Sequence, residues 1–179
     1  MGGCRISLRL RFVDRISEHI DGAIVVGMGE AAVSKDKSLA TLALGSCVAI
    51  VLYDPVTRVG GIVHAMLPCS KGKRLPKYVD TGVEILLSKL AQMEAKRNFL
   101  VSGIIGGGTI FNFGGELAIG KKNIEASRSV LRELNIPIVL EEVDGKRGRS
   151  MMLDIATGTV TVMVSKPPVF RECELIERT

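Results

Sequence analysis

The chain is poor in aromatic residues and in histidine, and both shortages narrow the classes of protein it could be. It has no tryptophan, two tyrosines and two histidines among 179 residues. Proteins that bind single-stranded nucleic acid usually stack bases on aromatic side chains within a basic surface. The net charge of +5 is modest and the basic residues are spread along the chain, so we predict no nucleic-acid partner.

The four cysteines lack the paired spacing of metal sites and disulfide frameworks. They are Cys4, Cys47, Cys69 and Cys173, with no CxxC motif. A chain with 46% hydrophobic residues can bury a large core without disulfides, which favours a reducing, cytoplasmic compartment. No apolar run approaches the ~18 residues of a membrane span, and charges interrupt the N-terminal segment, so we expect a soluble protein without membrane insertion.

The chain also lacks the usual signatures of a bound cofactor. Residues 106–120 contain six glycines, but no Gly-Lys-Ser/Thr follows and no GxGxxG opens a helix. Glycines there would let the backbone pass close to other elements near a site. Zinc ligation by Cys47, His64 and Cys69 is a weaker alternative, since it has no clear fourth ligand. We therefore predict neither a metal nor an organic cofactor.

Hydrophobic patterning predicts two helices and about eight strands in a single α+β domain. Apolar residues recur with a helical period over Tyr78–Arg97, where Asp80 is placed as the N-cap, and again over Asn123–Leu134. Short apolar, β-branched runs predict the strands. These runs are 23–28, 39–44, 48–52, 60–66, 99–105, 138–143, 151–155 and 159–164. We expect residues 1–21 to form an N-terminal extension, 22–166 the domain and 167–179 a C-terminal tail.

One stretch brings the rarest reactive residues together. Cys47 precedes the first of two predicted neighbouring strands and His64 lies in the second, with an Asp-Pro turn at 54–55 between them. A turn centred on Pro55–Val56 would set Cys47 opposite His64, with Cβ atoms roughly 4.5–5.5 Å apart. A lone histidine in an apolar run is often a core residue, but the expected closeness of the thiol favours a catalytic pair.

The chemistry of such a pair calls for further groups. An adjacent imidazolium would stabilise a Cys47 thiolate, and the histidine could then protonate a leaving group. A third group usually orients the imidazole, for which Thr41 is a candidate and Ser46 a weaker one. Backbone N–H groups at Ser46–Cys47 or in the 106–115 segment could stabilise an oxyanion. Spacing alone does not choose among these groups.

Several longer segments resemble one known family. The segments are GSCVAIVLYDP, GGIVHAMLP, KYVDTGVEILL, GGGTIFNF, IGKKNIEA and LNIPIVLEEVDGKRGRSMMLDIATGTV, and together they span roughly residues 23–165. They are similar to the CheD family of chemoreceptor glutamine deamidases. The resemblance implies an α/β/β/α layered sandwich with Cys47 as nucleophile, His64 as its partner and Thr41 completing the triad. The N-terminal extension departs from the family pattern.

The resemblance also implies a substrate and a partner. Family members convert glutamines of methyl-accepting chemotaxis receptors to glutamate, some also hydrolyse receptor methyl esters, and many bind the CheC phosphatase. The sequence thus predicts a cysteine hydrolase that deamidates receptor glutamines, with an open site bordered by the 69–77 and 106–120 loops. The alternative is a non-catalytic module that regulates a CheC-type phosphatase by docking.

Overall fold

Two β-sheets packed face to face form the centre of the protein. The computed structural model describes residues 8–13, 16–109 and 116–165. The first sheet, in spatial order, consists of β1 (Arg9–Phe12), β10 (Thr159–Val164), β9 (Arg149–Asp154), β4 (Leu39–Leu44) and β2 (Ile24–Val25). The second consists of β3 (Ala31–Ser34), β6 (Val59–Ala65), β5 (Val48–Asp54), β7 (Val101–Gly106) and β8 (Ile138–Val143). The predicted α+β class is confirmed.

The main core lies between the two sheets and follows from the alternation of side chains along each strand. On β5, Val51 and Tyr53 face the first sheet and share a buried cluster with Leu153. The intervening Ile50 and Leu52 face the opposite way, toward the helices. All seven residues of β5 are therefore buried, which explains why its sequence is a continuous apolar run.

Both α-helices cover the same outer face, that of the second sheet. Leu86 of α1 (Val79–Gln92) and Leu131 of α2 (Glu116–Glu133) share one buried cluster with that face. Among the described residues, no α-helix covers the outer face of the first sheet. Ile16 packs there with Met152 of β9, and residues 16–23 are non-helical. The described residues on this outer face are irregular chain.

The helix boundaries differ from the sequence prediction at their first turns. The N-cap of α1 is Tyr78, and Asp80 lies inside the first turn. Both Asp80 carboxylate oxygens accept from the backbone N–H of Ser70, at 2.8 and 3.0 Å. The carboxylate that was predicted to cap the helix therefore binds the 69–77 loop. The second helix starts at Glu116 rather than Asn123, so it extends seven residues before the span predicted from periodicity.

The hairpin between β5 and β6 has a longer loop than predicted. Asp54 pairs with Val59, so four residues form the connection instead of two. Asp54 Oδ1 accepts from the backbone N–H groups of Val56 at 2.8 Å and Thr57 at 3.2 Å. This side-chain turn widens the loop and displaces the register of the whole hairpin.

The displaced register corrects the predicted pairing of Cys47 with His64. The residue opposite His64 is Ala49, so the prediction was wrong by two residues. Because side chains alternate with a period of two, a shift of two positions preserves the face. Cys47 therefore remains on the same side of the sheet as His64, displaced diagonally from it.

The first described residues are part of the fold. Strand β1 runs parallel to β10 at the edge of the first sheet, and Leu8 is buried in the core between the sheets. These residues fall within the span 1–21 that was predicted as an extension. The predicted tail 167–179 lies outside the described residues. Within the described part of the chain, neither helix is long and apolar enough to cross a membrane.

Candidate active site

An imidazole and a hydroxyl meet in the interface between the two sheets. His64 belongs to β6 of the second sheet and Thr41 to β4 of the first. The distance between Thr41 Oγ1 and His64 Nδ1 is 2.8 Å, and the two residues are 0% and 1% exposed, respectively. The structure thus brings together two of the three predicted site residues, through a contact that crosses from sheet to sheet.

The hydrogen bonds around Thr41 determine which nitrogen of the neutral imidazole carries the proton. Thr41 Oγ1 donates its only hydrogen to the carbonyl oxygen of Val26, at 2.7 Å. Toward His64 it can therefore only accept, and Nδ1 must carry the proton. In the neutral ring Nε2 then has a free lone pair. Nε2 is buried and has no hydrogen-bond partner among the described residues. This is the tautomer that a general base needs.

The segment before β3 holds the backbone of His64 in place. The Gly29 N–H donates to the His64 carbonyl at 2.9 Å, and the His64 N–H donates to the Glu30 carbonyl at 3.0 Å. The Val26 carbonyl, which accepts from the Thr41 hydroxyl, lies in the same segment. The segment therefore holds both the backbone of His64 and the hydroxyl that contacts its ring. Sequence reasoning missed it because backbone carbonyl and N–H groups carry no residue-type signal.

Cys47 lies at the edge of the same interface. It is half-buried, has a free thiol and packs against the core between the sheets. A diagonal neighbour in a regular ladder is roughly 7–8 Å away, within reach of an aromatic ring. The Cys47 thiol lies on the side of the second sheet that also carries the His64 side chain. Among the described residues, no hydrogen bond joins Cys47 Sγ to His64 Nε2.

Burial keeps both groups neutral in this structure. It raises the pKa of the Cys47 thiol above its ordinary value, and the residue's own backbone N–H, directed at the sulfur, partly opposes that rise. Burial lowers the pKa of His64 to about 4. A neutral thiol and a neutral imidazole are therefore the resting species, and not the thiolate–imidazolium pair expected from the sequence. A nucleophilic reaction at a neutral thiol requires that its proton move to a base.

The glycine-rich segment after β7 supports the turn that carries Cys47. Gly107 N–H donates to the Cys47 carbonyl at 2.7 Å, and Gly108 N–H donates to the Gly45 carbonyl at 2.8 Å. A Cβ on Gly106 would lie 2.5 Å from the Cys47 carbonyl oxygen, so only glycine fits there. This close approach agrees with the predicted role of these glycines. The predicted site border at 110–115 lies outside the described residues.

The 69–77 loop is anchored next to the end of β6. The backbone N–H groups of Met66 and Leu67 both donate to the Lys77 carbonyl, which fixes the end of the loop beside the strand that carries His64. Cys69, in this loop, is exposed. Within the described ranges no three His, Cys, Asp or Glu side chains converge as metal ligands would, so the structure does not assemble the Cys47–His64–Cys69 alternative.

The fold sets three chemically reactive groups near one edge of the interface between the sheets. They are the half-buried Cys47 thiol, the His64 imidazole with its proton on Nδ1, and the Thr41 hydroxyl that accepts from it. These are the residue types that thiol-dependent acyl transfer uses. The comparison with known proteins then gives the family. The chain belongs to the CheD family: the family model described as CheD chemotactic sensory transduction matches residues 66–164.

Relatives in three organisms align with most of the chain. Chemoreceptor glutamine deamidase CheD of Thermotoga maritima is 42% identical over 141 residues, covering 77% of this chain and 89% of that protein. The protein of the same name in Halalkalibacterium halodurans is 39% identical over 152 residues, covering 80% and 94%. A CheD protein of Pyrococcus horikoshii is 42% identical over 144 residues, covering 76% and 89%.

Solved structures give a weaker likeness. The Bacillus licheniformis protein YfiH overlaps with a TM-score of 0.41 at 16% identity, covering 77% of this chain and 64% of that one.

Proposed function

We propose that this protein is a cytoplasmic chemoreceptor glutamine deamidase, which hydrolyses selected receptor glutamine side chains to glutamate and ammonia. Two relatives that align with more than three quarters of the chain carry this name. The observation that carries the proposal is the Thr41–His64 hydrogen bond, because it leaves Nε2 as a buried lone pair on the face shared with the Cys47 thiol. Cys47 is the nucleophile, His64 the general base and acid, and Thr41 the orienting group.

The first half-reaction transfers the acyl group to the protein. Nε2 of His64 takes the proton of the thiol as Cys47 Sγ forms a bond to the carboxamide carbon, and the carbonyl oxygen becomes an oxyanion. When the carbon–nitrogen bond breaks, the nitrogen takes that proton from Nε2 and leaves as ammonia. A thioester between Cys47 and the substrate side chain remains, and the imidazole is neutral again.

The second half-reaction hydrolyses the thioester. Nε2 accepts a proton from water as the water oxygen bonds to the thioester carbon. The carbon–sulfur bond then breaks, and Cys47 Sγ regains its proton from the imidazolium. The product is a glutamate side chain, and the protein returns to its starting state without a metal or organic cofactor.

The decisive experiment compares two cysteine variants on a receptor cytoplasmic fragment. Cys47→Ala should reduce ammonia release and Gln-to-Glu conversion, followed by mass spectrometry, by at least about 10³-fold. Cys69→Ala is the matched control, since it removes an exposed thiol from a neighbouring loop and should keep full activity. If Cys47→Ala converts glutamine as fast as the parent protein, the nucleophile assignment is wrong.

The family resemblance supports two finer proposals about the same surface. Receptor methyl esters should be hydrolysed through the same thioester, with methanol replacing ammonia as the leaving group. A CheC-type phosphatase should bind this protein and change its deamidase activity. Both proposals are tested by incubating the protein with a methylated receptor fragment, with and without CheC, and measuring the release of methanol and ammonia. If the protein binds CheC and changes its phosphatase rate but deamidates nothing, and Cys47→Ala behaves in the same way, the docking-regulator alternative is favoured instead.

A further inference from the structure

Asn123 of α2 is a fully buried polar residue that bridges the two segments of the site. Its Nδ2 donates to the carbonyl oxygen of Ser46 at 2.9 Å and to that of Met66 at 3.0 Å. Ser46 directly precedes Cys47, and Met66 follows His64 by two residues. The β5–β6 ladder has ended at this level, so the side-chain amide ties the two strand ends together just beyond the last rung.

The direction of the Asn123 amide is set by its partners. Both are carbonyl oxygens, so only the NH₂ group can face them. The other end, Oδ1, is buried and has no hydrogen-bond partner in the described part of the chain. A buried acceptor without a donor is unfavourable, and a residue kept only for packing would not need one. The amide therefore acts here as a double donor.

The bond to Ser46 orients the peptide group that leads into Cys47. In a trans peptide the carbonyl and the following N–H point in opposite directions. Holding the Ser46 carbonyl toward α2 therefore turns the Cys47 N–H away from α2. The same N–H lowers the pKa of the Cys47 thiol, in opposition to the effect of burial. The carbonyls of Gly45 and Cys47 on either side are held by the glycine-rich segment, so the turn has little freedom to rotate.

A donor in this place is what acyl transfer requires. The oxyanion forms on the atom bonded to the carbon that Cys47 Sγ attacks, and the backbone N–H of the nucleophilic residue is a common oxyanion donor. We infer that Asn123 is a positioning residue that aims the backbone N–H of Cys47 at the oxyanion of the substrate carboxamide. The inference rests on the proposed function, and Asn123 itself does not contact the substrate.

The test compares Asn123→Ala with a matched variant that also loses one buried hydrogen bond. Ser102 is fully buried at the opposite end of β7 from Gly106, and its Oγ donates to the Pro137 carbonyl at 2.9 Å. Ser102→Ala should keep kcat within threefold of the parent. Asn123→Ala should lower kcat for receptor glutamine about 10- to 100-fold and leave KM within threefold, because the lost interaction forms only in the transition state. Both are assayed well below their melting temperatures.

A second readout does not depend on deamidation. The pH dependence of Cys47 alkylation by iodoacetamide, followed on its own peptide in a Cys69→Ala background, measures the thiol pKa. Loss of the aligned N–H should raise this pKa in Asn123→Ala and leave it unchanged in Ser102→Ala. This readout remains decisive if the parent protein fails to deamidate the receptor, which would overturn the proposed function separately.

Asn123→Asp gives a pH signature that a packing role would not produce. Burial beside two carbonyl oxygens should raise the pKa of a carboxyl group at this position well above its ordinary value. An ionised carboxylate would repel both carbonyl oxygens, whereas a protonated one can donate to one of them. This variant should therefore gain activity relative to the parent as the pH falls from 8 to 6. An Asn123→Ala kcat within threefold of the parent would overturn the inference. So would an unchanged Cys47 pKa, or an Asn123→Asp profile parallel to that of the parent; the last test remains available if the alanine variant does not fold.

Discussion

Between pH 8 and pH 5 the imidazole of His64 should make this protein less stable as the pH falls. An ordinary histidine has a pKa near 6.5, and burial lowers that of His64 to about 4. Between these values the unfolded chain binds a proton that the folded chain excludes. The unfolded state therefore gains more protons as the pH falls, and the free energy of unfolding decreases through this window. Above pH 6.5 the contribution of His64 is constant.

The size of the effect follows from the two pKa values. A shift from 6.5 to about 4 corresponds to roughly 3 kcal/mol once the pH is well below 4. At pH 5 the unfolded chain is almost fully protonated and the folded chain only slightly, which gives a loss of about 2 kcal/mol relative to pH 8. For a domain of this size that is a large share of the total stability.

The assay is urea unfolding at pH 8 and pH 5, with His64→Gln as the variant that cannot titrate. The parent should lose about 2 kcal/mol more than His64→Gln between the two pH values. Because the chain has only two histidines, an NMR titration of the imidazole C–H signals gives the His64 pKa directly. A His64 pKa of 6.5 or higher, or identical pH dependence in parent and His64→Gln, would refute this reasoning.

Two further substitutions test the supports of the site. Thr41→Val leaves the His64 Nδ1–H without an acceptor, so kcat should fall at least tenfold and the free energy of unfolding by about 2 kcal/mol. Thr41→Ser keeps the hydroxyl and should restore most of both quantities. Equal kcat in the valine variant and the parent would contradict the orienting role. Gly106→Ala should cost about 2–4 kcal/mol in urea unfolding, since its Cβ would lie 2.5 Å from the Cys47 carbonyl oxygen and its φ is +107°. Gly103→Ala on the same strand meets its nearest neighbour at an ordinary 3.4 Å and should cost less than about 1 kcal/mol; similar losses in the two variants would show that the contact is not decisive.

The strands around the site could be predicted because their signal is local. The runs 39–44, 48–52, 60–66 and 138–143 correspond to β4, β5, β6 and β8 to within two residues at each end. The hairpin register could not be predicted, because it depends on whether the Asp54 carboxylate closes a side-chain turn, and both loop lengths suit the sequence. The side of the sheet predicted for Cys47 was nevertheless correct, since a register error of two residues leaves the side-chain direction unchanged.

The contacts that cross between elements were harder to predict. Periodicity assigns Thr41 to a buried face but does not say which residue of the other sheet it meets, so its contact with His64 needed the resemblance as a guide and the structure to measure it. Asn123 looked like the first residue of a helix, where asparagine is common. It lies well inside α2, and an asparagine on the buried face of a helix is the signal that could have been followed.

The hydrogen bond between Thr41 and His64 makes the order of assembly matter for reactivity. Cys47 directly precedes the β5–β6 hairpin and His64 lies within it, whereas Thr41 belongs to the other sheet and Val26 to the segment between β2 and β3. A chain in which only the hairpin has formed therefore contains the thiol and the imidazole, but nothing sets the tautomer of the ring or shields it from water. In the proposed mechanism, Cys47 therefore acquires an oriented base only when the two sheets pack together. A nascent or partly unfolded chain contains the reactive residues but not the contacts that would make them active.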